Sequence, residues 1–156
     1  MTERITALLV YHNSDTLSAL QSALEQQGVR VFHAPSRAHA RRRLHGMNPA
    51  PLIFTDTHLP DGTWADILAL AAKASLPVNV IVVSGAVNTR LYVEAIESGA
   101  FDFVAPPFDA DEVAYVTRCA WDNARARRAA PRHAVHALEA GLFAKAGAAG
   151  AGVVRN

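Results

Sequence analysis

The sequence predicts an α/β fold: a five-stranded parallel sheet, doubly wound by helices, built from a βα unit repeated five times. Three observations lead there. Short apolar runs alternate strictly with segments of helical periodicity. The runs are apolar throughout rather than at every second residue, as strands covered on both faces must be. The chain has 156 residues, of which 51% are hydrophobic and 19% charged, enough for one domain with a real core and too few for most multi-domain enzymes.

Each element has a local cause. Ile5-Thr6-Ala7-Leu8-Leu9-Val10 is a buried-strand run. Asn13-Ser14-Asp15 supplies N-cap residues, and Leu17, Leu20 and Leu24 then recur at helical spacing until Gly28. Val29 to Phe32 is the second strand, and Ser36 caps a helix to about Leu44, before Gly46 and Pro49. Leu52 to Thr55 is the third strand, followed by turn residues Pro60-Asp61-Gly62. A helix carrying Trp64, Ile67, Leu68 and Leu70 reaches Ala74-Ser75. Val78 to Val83 is the most β-branched run and reads as a central strand. Asn88 to Ser98 is a helix ended by Gly99, Phe101 to Val104 is the fifth strand, and a last helix runs from Asp109 or Asp111 through Trp121.

The formal charge of +1 conceals an asymmetry. Residues 1–122 hold 9 basic and 13 acidic side chains, net −4, whereas residues 123–156 hold 6 and 1, net +5. We therefore expect a domain over 1–122 and a basic, Ala/Gly-rich C-terminal extension over 123–156, either a helix extension or a linker. In that extension Val135, Leu138 and Leu142 line one face of a short helix, and Gly147 onward reads as flexible. The single cysteine, Cys119, excludes an internal disulfide framework and a cysteine-built zinc site. No apolar stretch approaches the ~20 residues of a membrane span. The N-terminus lacks the apolar core of a signal peptide, so a cytoplasmic location is expected.

In a doubly wound sheet, ligands bind beyond the carboxyl ends of the strands, where the strand order reverses. The functional candidates are therefore Tyr11, His12 and Asn13; His33; Asp56, Thr57 and His58; Ser84 and Gly85; and Ala105 and Pro106.

Three segments carry a resemblance: Phe54-Thr55-Asp56-Thr57-His58-Leu59-Pro60-Asp61-Gly62, Val82-Val83-Ser84-Gly85, and Gly99-Ala100-Phe101-Asp102-Phe103-Val104 followed by Pro107-Phe108. In this order and spacing, residues 4–122 resemble the receiver domain of bacterial two-component response regulators. The resemblance implies a flavodoxin-like fold, a phosphoacceptor at Asp56, a hydroxyl at Ser84 that hydrogen-bonds the phosphoryl group, and a switch aromatic at Phe103. It also implies a proline, usually after a cis bond, matched by Pro107. Two features depart from the family. Its Mg²⁺-binding acidic pair falls on Tyr11 and His12, and its lysine falls on Pro106. One carboxylate is a poor Mg²⁺ site, and phosphoryl transfer relies on cations to neutralise charge on the phosphoryl oxygens. The expected function is thus an atypical receiver in signal transduction, acting through protein–protein recognition, with phosphorylation of Asp56 impaired or absent. No cofactor is expected, and Mg²⁺ binding should be weak or absent.

Other readings stand beside this one. Asp56 is either a residual phosphoacceptor in a non-standard pocket or a carboxylate kept for structure. His12 is either a neutral loop residue or a substitute cation for the lysine, and Tyr11 is expected to plug the vacated metal pocket. A small hydrolase from Ser84, His12 and Asp56, or a metal site from His12, His58 and Asp56, is a remote alternative, lacking a nucleophile elbow or Gly-rich loop. Arg37, Arg41, Arg42 and Arg43, flanked by His39 and His45, read either as a patch for an anionic partner or nucleic acid or, as expected here, as a solvated helix face, and without a helix-turn-helix pattern nucleic acid is an unlikely partner. The expected partner is a protein, either a histidine kinase or a downstream effector, with a homodimer as a further option. It would dock on the face of the fourth helix, last strand and last helix, where Tyr92, Phe103, Val113, Tyr115 and Val116 fall.

Overall fold

Seven strands and five helices alternate along the described chain: β1 (Thr6–Val10), α1 (Asp15–Gln26), β2 (Arg30–Ala34), α2 (Arg37–Leu44), β3 (Leu52–Asp56), β4 (His58–Leu59), β5 (Gly62–Thr63), α3 (Trp64–Ala72), β6 (Asn79–Val83), α4 (Thr89–Glu97), β7 (Asp102–Val104) and α5 (Ala110–Ala129). β4 and β5 form a small antiparallel hairpin around Pro60-Asp61. The other five strands form one parallel sheet in the order β2-β1-β3-β6-β7. This is the flavodoxin-like order, with its reversal between β1 and β3. The computed structural model describes residues 3–130, so the helix expected around Val135, Leu138 and Leu142 and the stretch from Gly147 lie outside the described residues. Met1–Arg125 forms one compact unit. No described helix is long and apolar enough to cross a membrane.

The helices begin where side chains can satisfy free backbone N–H groups. Ser14 accepts from the N–H of Leu17, Ser36 from His39 and Asn88 from Leu91. α1 and α4 end at Gly28 (φ +85°) and Gly99 (φ +109°), whose left-handed conformation a side chain would strain. α2 receives a second cap from outside. The carboxylate of Asp61, on the hairpin, accepts the N–H groups of Arg37 (2.7 Å) and Ala38 (3.1 Å). Burial acts to raise the Asp61 pKa, but these hydrogen bonds and the charge of Arg37 outweigh it, holding the carboxyl below its ordinary value.

Both faces of the sheet are covered. Leu9, Phe54, Ile81 and Val83 pack with Leu17, Leu20 and Leu24 of α1 and Val113, Ala120 and Trp121 of α5. Leu8, Val10, Ile53 and Val80 pack with Leu44 of α2 and Ile67 of α3. Val82 meets Ala95 of α4, with Phe103 against them. Each large apolar side chain fully buried here contributes about 1.5–3 kcal/mol.

The structure departs from the sequence reading at one edge of the sheet. β2 is an edge strand, and Arg30 and His33 on it are exposed rather than covered. Arg30 and Arg43 lie over the ring of its Phe32, at 5.1 and 4.9 Å from the centroid. α5 continues past Trp121 to Ala129, because the Ala/Arg-rich sequence there is strongly helix-forming and Pro131 is the first breaker.

Two substitutions test this packing. Thr117 on α5 is buried, and among the described residues its hydroxyl has no hydrogen-bond partner. Thr117→Val should therefore raise stability by about 1 kcal/mol, read as a higher urea midpoint at unchanged slope. Asp61→Ala should lower stability by about 1 kcal/mol at neutral pH. Since folding depresses the Asp61 pKa, its contribution is present above the unfolded value and is lost as pH falls through the folded value. The urea curves of the two proteins should therefore separate at neutral pH and converge in strong acid.

Candidate functional site

Strand register assembles the site. Val10 pairs with Thr55, Asp56 with Val83, and Val83 with Val104. Tyr11, Asp56, Val83 and Val104 therefore form one row at the carboxyl edge, and His12, Thr57, Ser84 and Ala105 form the next. All the sequence-predicted residues except those on β2 lie in or beside these two rows, at the switch point where ligands bind in such sheets.

Asp56 is half-buried, and its Oδ1 accepts the N–H of Thr57 at 2.7 Å. The hydroxyl of the fully buried Thr55 donates to the Asp56 carbonyl at 3.0 Å, fixing the backbone beneath it. Among the described residues no Lys, Arg or His forms an ion pair with Asp56.

Tyr11 is turned away from Asp56. Its hydroxyl donates to Oε1 of Gln21 on α1 at 2.7 Å, and its ring lies against His33 on β2, with centroids 4.2 Å apart. His33 Nε2 also meets the Tyr11 carbonyl at 2.8 Å. α1 and β2 thus offer this side chain a hydrogen bond and a stacking partner. Burial, and after it the charge of Glu25, raises the phenol pKa, so Tyr11 is a neutral donor at physiological pH rather than an anionic oxygen ligand.

His12 is exposed, and its Nε2 contacts the side-chain amide of Asn13 at 3.2 Å. Asn13 itself adopts φ 49°, a left-handed conformation that asparagine tolerates. Ser84 is buried and donates its hydroxyl to the carbonyl of Ala86 at 2.8 Å, within its own loop. The Pro106–Pro107 peptide bond is cis. Phe103 lies against Tyr92 of α4, with ring centroids 5.8 Å apart. These two rings help line a groove of about 290 Å³ between α4 and β7.

Neither remote alternative is assembled. Ser84, His12 and Asp56 share no hydrogen bond, each being engaged with a loop neighbour. Among the described residues, no three His, Cys, Asp or Glu side chains are grouped to hold a metal ion. The residues that the resemblance sets at the Mg²⁺ position would offer one carboxylate, a neutral phenol bonded to Gln21 and an exposed imidazole, a set that does not fit a hard cation. Sequence reasoning had missed Gln21, which looks like any exposed helix residue, and the capping role of Asp61.

The chain matches the family model described as response regulator receiver domain over residues 7–118. The C4-dicarboxylate transport transcriptional regulatory protein DctD of Rhizobium meliloti is 32% identical over 124 residues, covering 77% of this chain and 26% of that protein. The transcriptional regulatory protein KdpE of Mycobacterium tuberculosis is 31% identical over 105 residues, covering 67% of this chain and 46% of its own. The chain thus spans between a quarter and a half of these relatives, which are named as regulators. A signal receiver domain from Vibrio parahaemolyticus superposes with TM-score 0.67 at 26% identity, covering 79% of this chain and 94% of that one. The response regulator receiver domain protein of Clostridium thermocellum superposes with TM-score 0.66 at 23% identity, covering 76% and 95%, a likeness of fold. With a five-stranded sheet in the flavodoxin-like order and an aspartate at the carboxyl end of β3, the chain belongs to the response regulator receiver domain family.

Proposed function

We propose that this receiver works as a protein-recognition module in two-component signalling, with phosphorylation of Asp56 impaired. The observation that carries the proposal is the rewired ring of groups around Asp56. Tyr11 serves α1 and β2, His12 faces solvent, Pro106 brings no cation, and Ser84 is held by Ala86. Among the described residues, a phosphoryl group on Asp56 would meet no lysine or arginine paired with it to neutralise its equatorial oxygens. Mg²⁺ binding is accordingly weak.

The recognition surface is the face of α4, β7 and α5. Tyr92, Val93 and Ile96 on α4 are exposed, as are Val87 just before it and Tyr115 on α5. Large apolar side chains grouped on one face mark an interaction site more often than isolated ones do. Glu97 at the end of α4 and Asp111 and Glu112 in the first turn of α5 belong to the same elements and would favour a partner with a basic rim. A histidine kinase, a downstream effector or a second copy of the chain are the candidate occupants.

A second reading is a working switch. The half-buried Asp56, with Ser84 one residue beyond its strand partner Val83, keeps two parts of the family's apparatus in register. New charge on Asp56 would draw the Ser84 hydroxyl from Ala86 and release Phe103 from Tyr92.

Intact-protein mass after incubation with acetyl phosphate and Mg²⁺ separates the two. We expect no gain of a phosphoryl group; a Mg²⁺-dependent gain that Asp56→Asn abolishes would establish the switch instead. Conversely, combining Tyr11→Asp, His12→Asp and Pro106→Lys should tighten Mg²⁺ binding at least about tenfold, or ~1.4 kcal/mol, in a calorimetric titration. An unchanged affinity would show that these positions do not correspond to the family's acidic pair and lysine.

A further inference from the structure

Helix α2 carries four arginines in eight residues and no acidic side chain, in a unit whose residues 1–122 are net negative. Three of the four, Arg41 to Arg43, lie in its last turn, where the helix dipole favours cations. That accounts for tolerance of the charge, not for its shape. Between α2 and α3 lies a groove of about 360 Å³, walled by Arg37, Arg41, His45 and Lys73 and floored by Leu44 and Leu70. A second hollow of about 420 Å³ shares Arg37, Arg41 and His45 and adds Arg42.

The anions nearby are already committed. Asp61 accepts the first N–H groups of α2, and Asp66 pairs with Arg37 at 3.5 Å. Arg41, Arg42 and Lys73 form no ion pair among the described residues. Cations left unpaired around a concavity call for an anionic occupant.

We propose that this groove binds an acidic amphipathic helical segment of a protein partner. Arg37 and Arg41 stand about 6 Å apart along α2 and Lys73 lines the groove from the α3 side, so the positive charge is spread along two walls instead of converging on one phosphate-sized point. The floor is apolar, which suits leucine-like side chains on one face of a docked helix and is of no use to a sugar-phosphate backbone. Away from this face the unit is acidic, and such a field opposes the broad approach of a nucleic acid. The groove is formed by α2 and α3, apart from the α4–β7–α5 face, and its occupancy does not depend on the state of Asp56.

The test is fluorescence anisotropy with a labelled peptide bearing leucines on one face and glutamates on the other. Poly-glutamate of equal length and a short DNA duplex serve as comparison probes. We expect the amphipathic peptide to bind more tightly than either. The double variant Arg41→Glu, Lys73→Glu should weaken it at least about tenfold, while Arg118→Glu on α5 leaves it unchanged. Both exposed sites of the double variant tolerate reversal without loss of fold, which circular dichroism checks. The proposal is overturned if poly-glutamate binds equally well, if Arg118→Glu weakens binding as much as the double variant, or if the double variant binds as wild type does. Tighter, Arg41- and Lys73-dependent binding of the duplex would overturn it too, by making the face a nucleic-acid surface.

Discussion

A parallel sheet buried on both faces leaves only its strand ends for chemistry, and every property of this molecule follows from that restriction. β1, β3 and β6 carry apolar side chains to α1 and α5 on one side and to α2, α3 and α4 on the other, so no polar group is tolerated along their length without a partner. The backbone hydrogen bonds of the sheet then set the strand ends in rows. The register of Val10 with Thr55 and of Asp56 with Val83 brings residues from three separate parts of the chain to one edge. The fold delivers this arrangement whatever side chains stand there, which is why a receiver scaffold can persist while the groups at its edge change.

What the edge can do is decided by charge. A phosphorylated aspartate needs cations close by, and receivers obtain them from a metal held by carboxylates and from a lysine. On the proposed correspondence, those three positions hold a phenol, an exposed imidazole and a proline. The phenol is drawn to Gln21 and His33 instead. Positive charge is concentrated elsewhere, on α2 and around the groove it shares with α3, while carboxylates gather about α4, β7 and the start of α5. The two ends of the sheet thus present opposite signs to other molecules.

Much of this was legible in the chain because its causes are local. Ser14, Ser36 and Asn88 cap the helices they precede, Gly28 and Gly99 end them, and the β-branched run before Ser84 is the central strand β6. Asp56 and Ser84 fall at strand ends that the alternation of elements locates, while Phe103 was singled out by the family resemblance. What escaped depends on partners distant in sequence. β2 reads as apolar, yet its edge position, and so the exposure of Arg30 and His33, follows from strand order. The arms of the β4–β5 hairpin are two residues each, too short for any periodicity to register. The partners of Tyr11 escaped as well, because its own neighbours do not reveal that Gln21 and His33 will be within reach. The change in composition at residue 123 marked a chemical boundary, whereas the helix obeys backbone propensity and runs on to Ala129.

The contacts of Tyr11 also bear on how freely this pocket could change its chemistry one residue at a time. An aspartate placed there alone would leave Gln21 and His33 without their present partner and would set a second carboxylate in the field of Glu25. With no lysine and no second acid yet in place, such an intermediate would carry the electrostatic cost of the metal site without the metal affinity that offsets it. Replacing Tyr11 alone therefore breaks existing contacts before any metal site can form, so a phosphate-handling edge would have to be installed at several positions together.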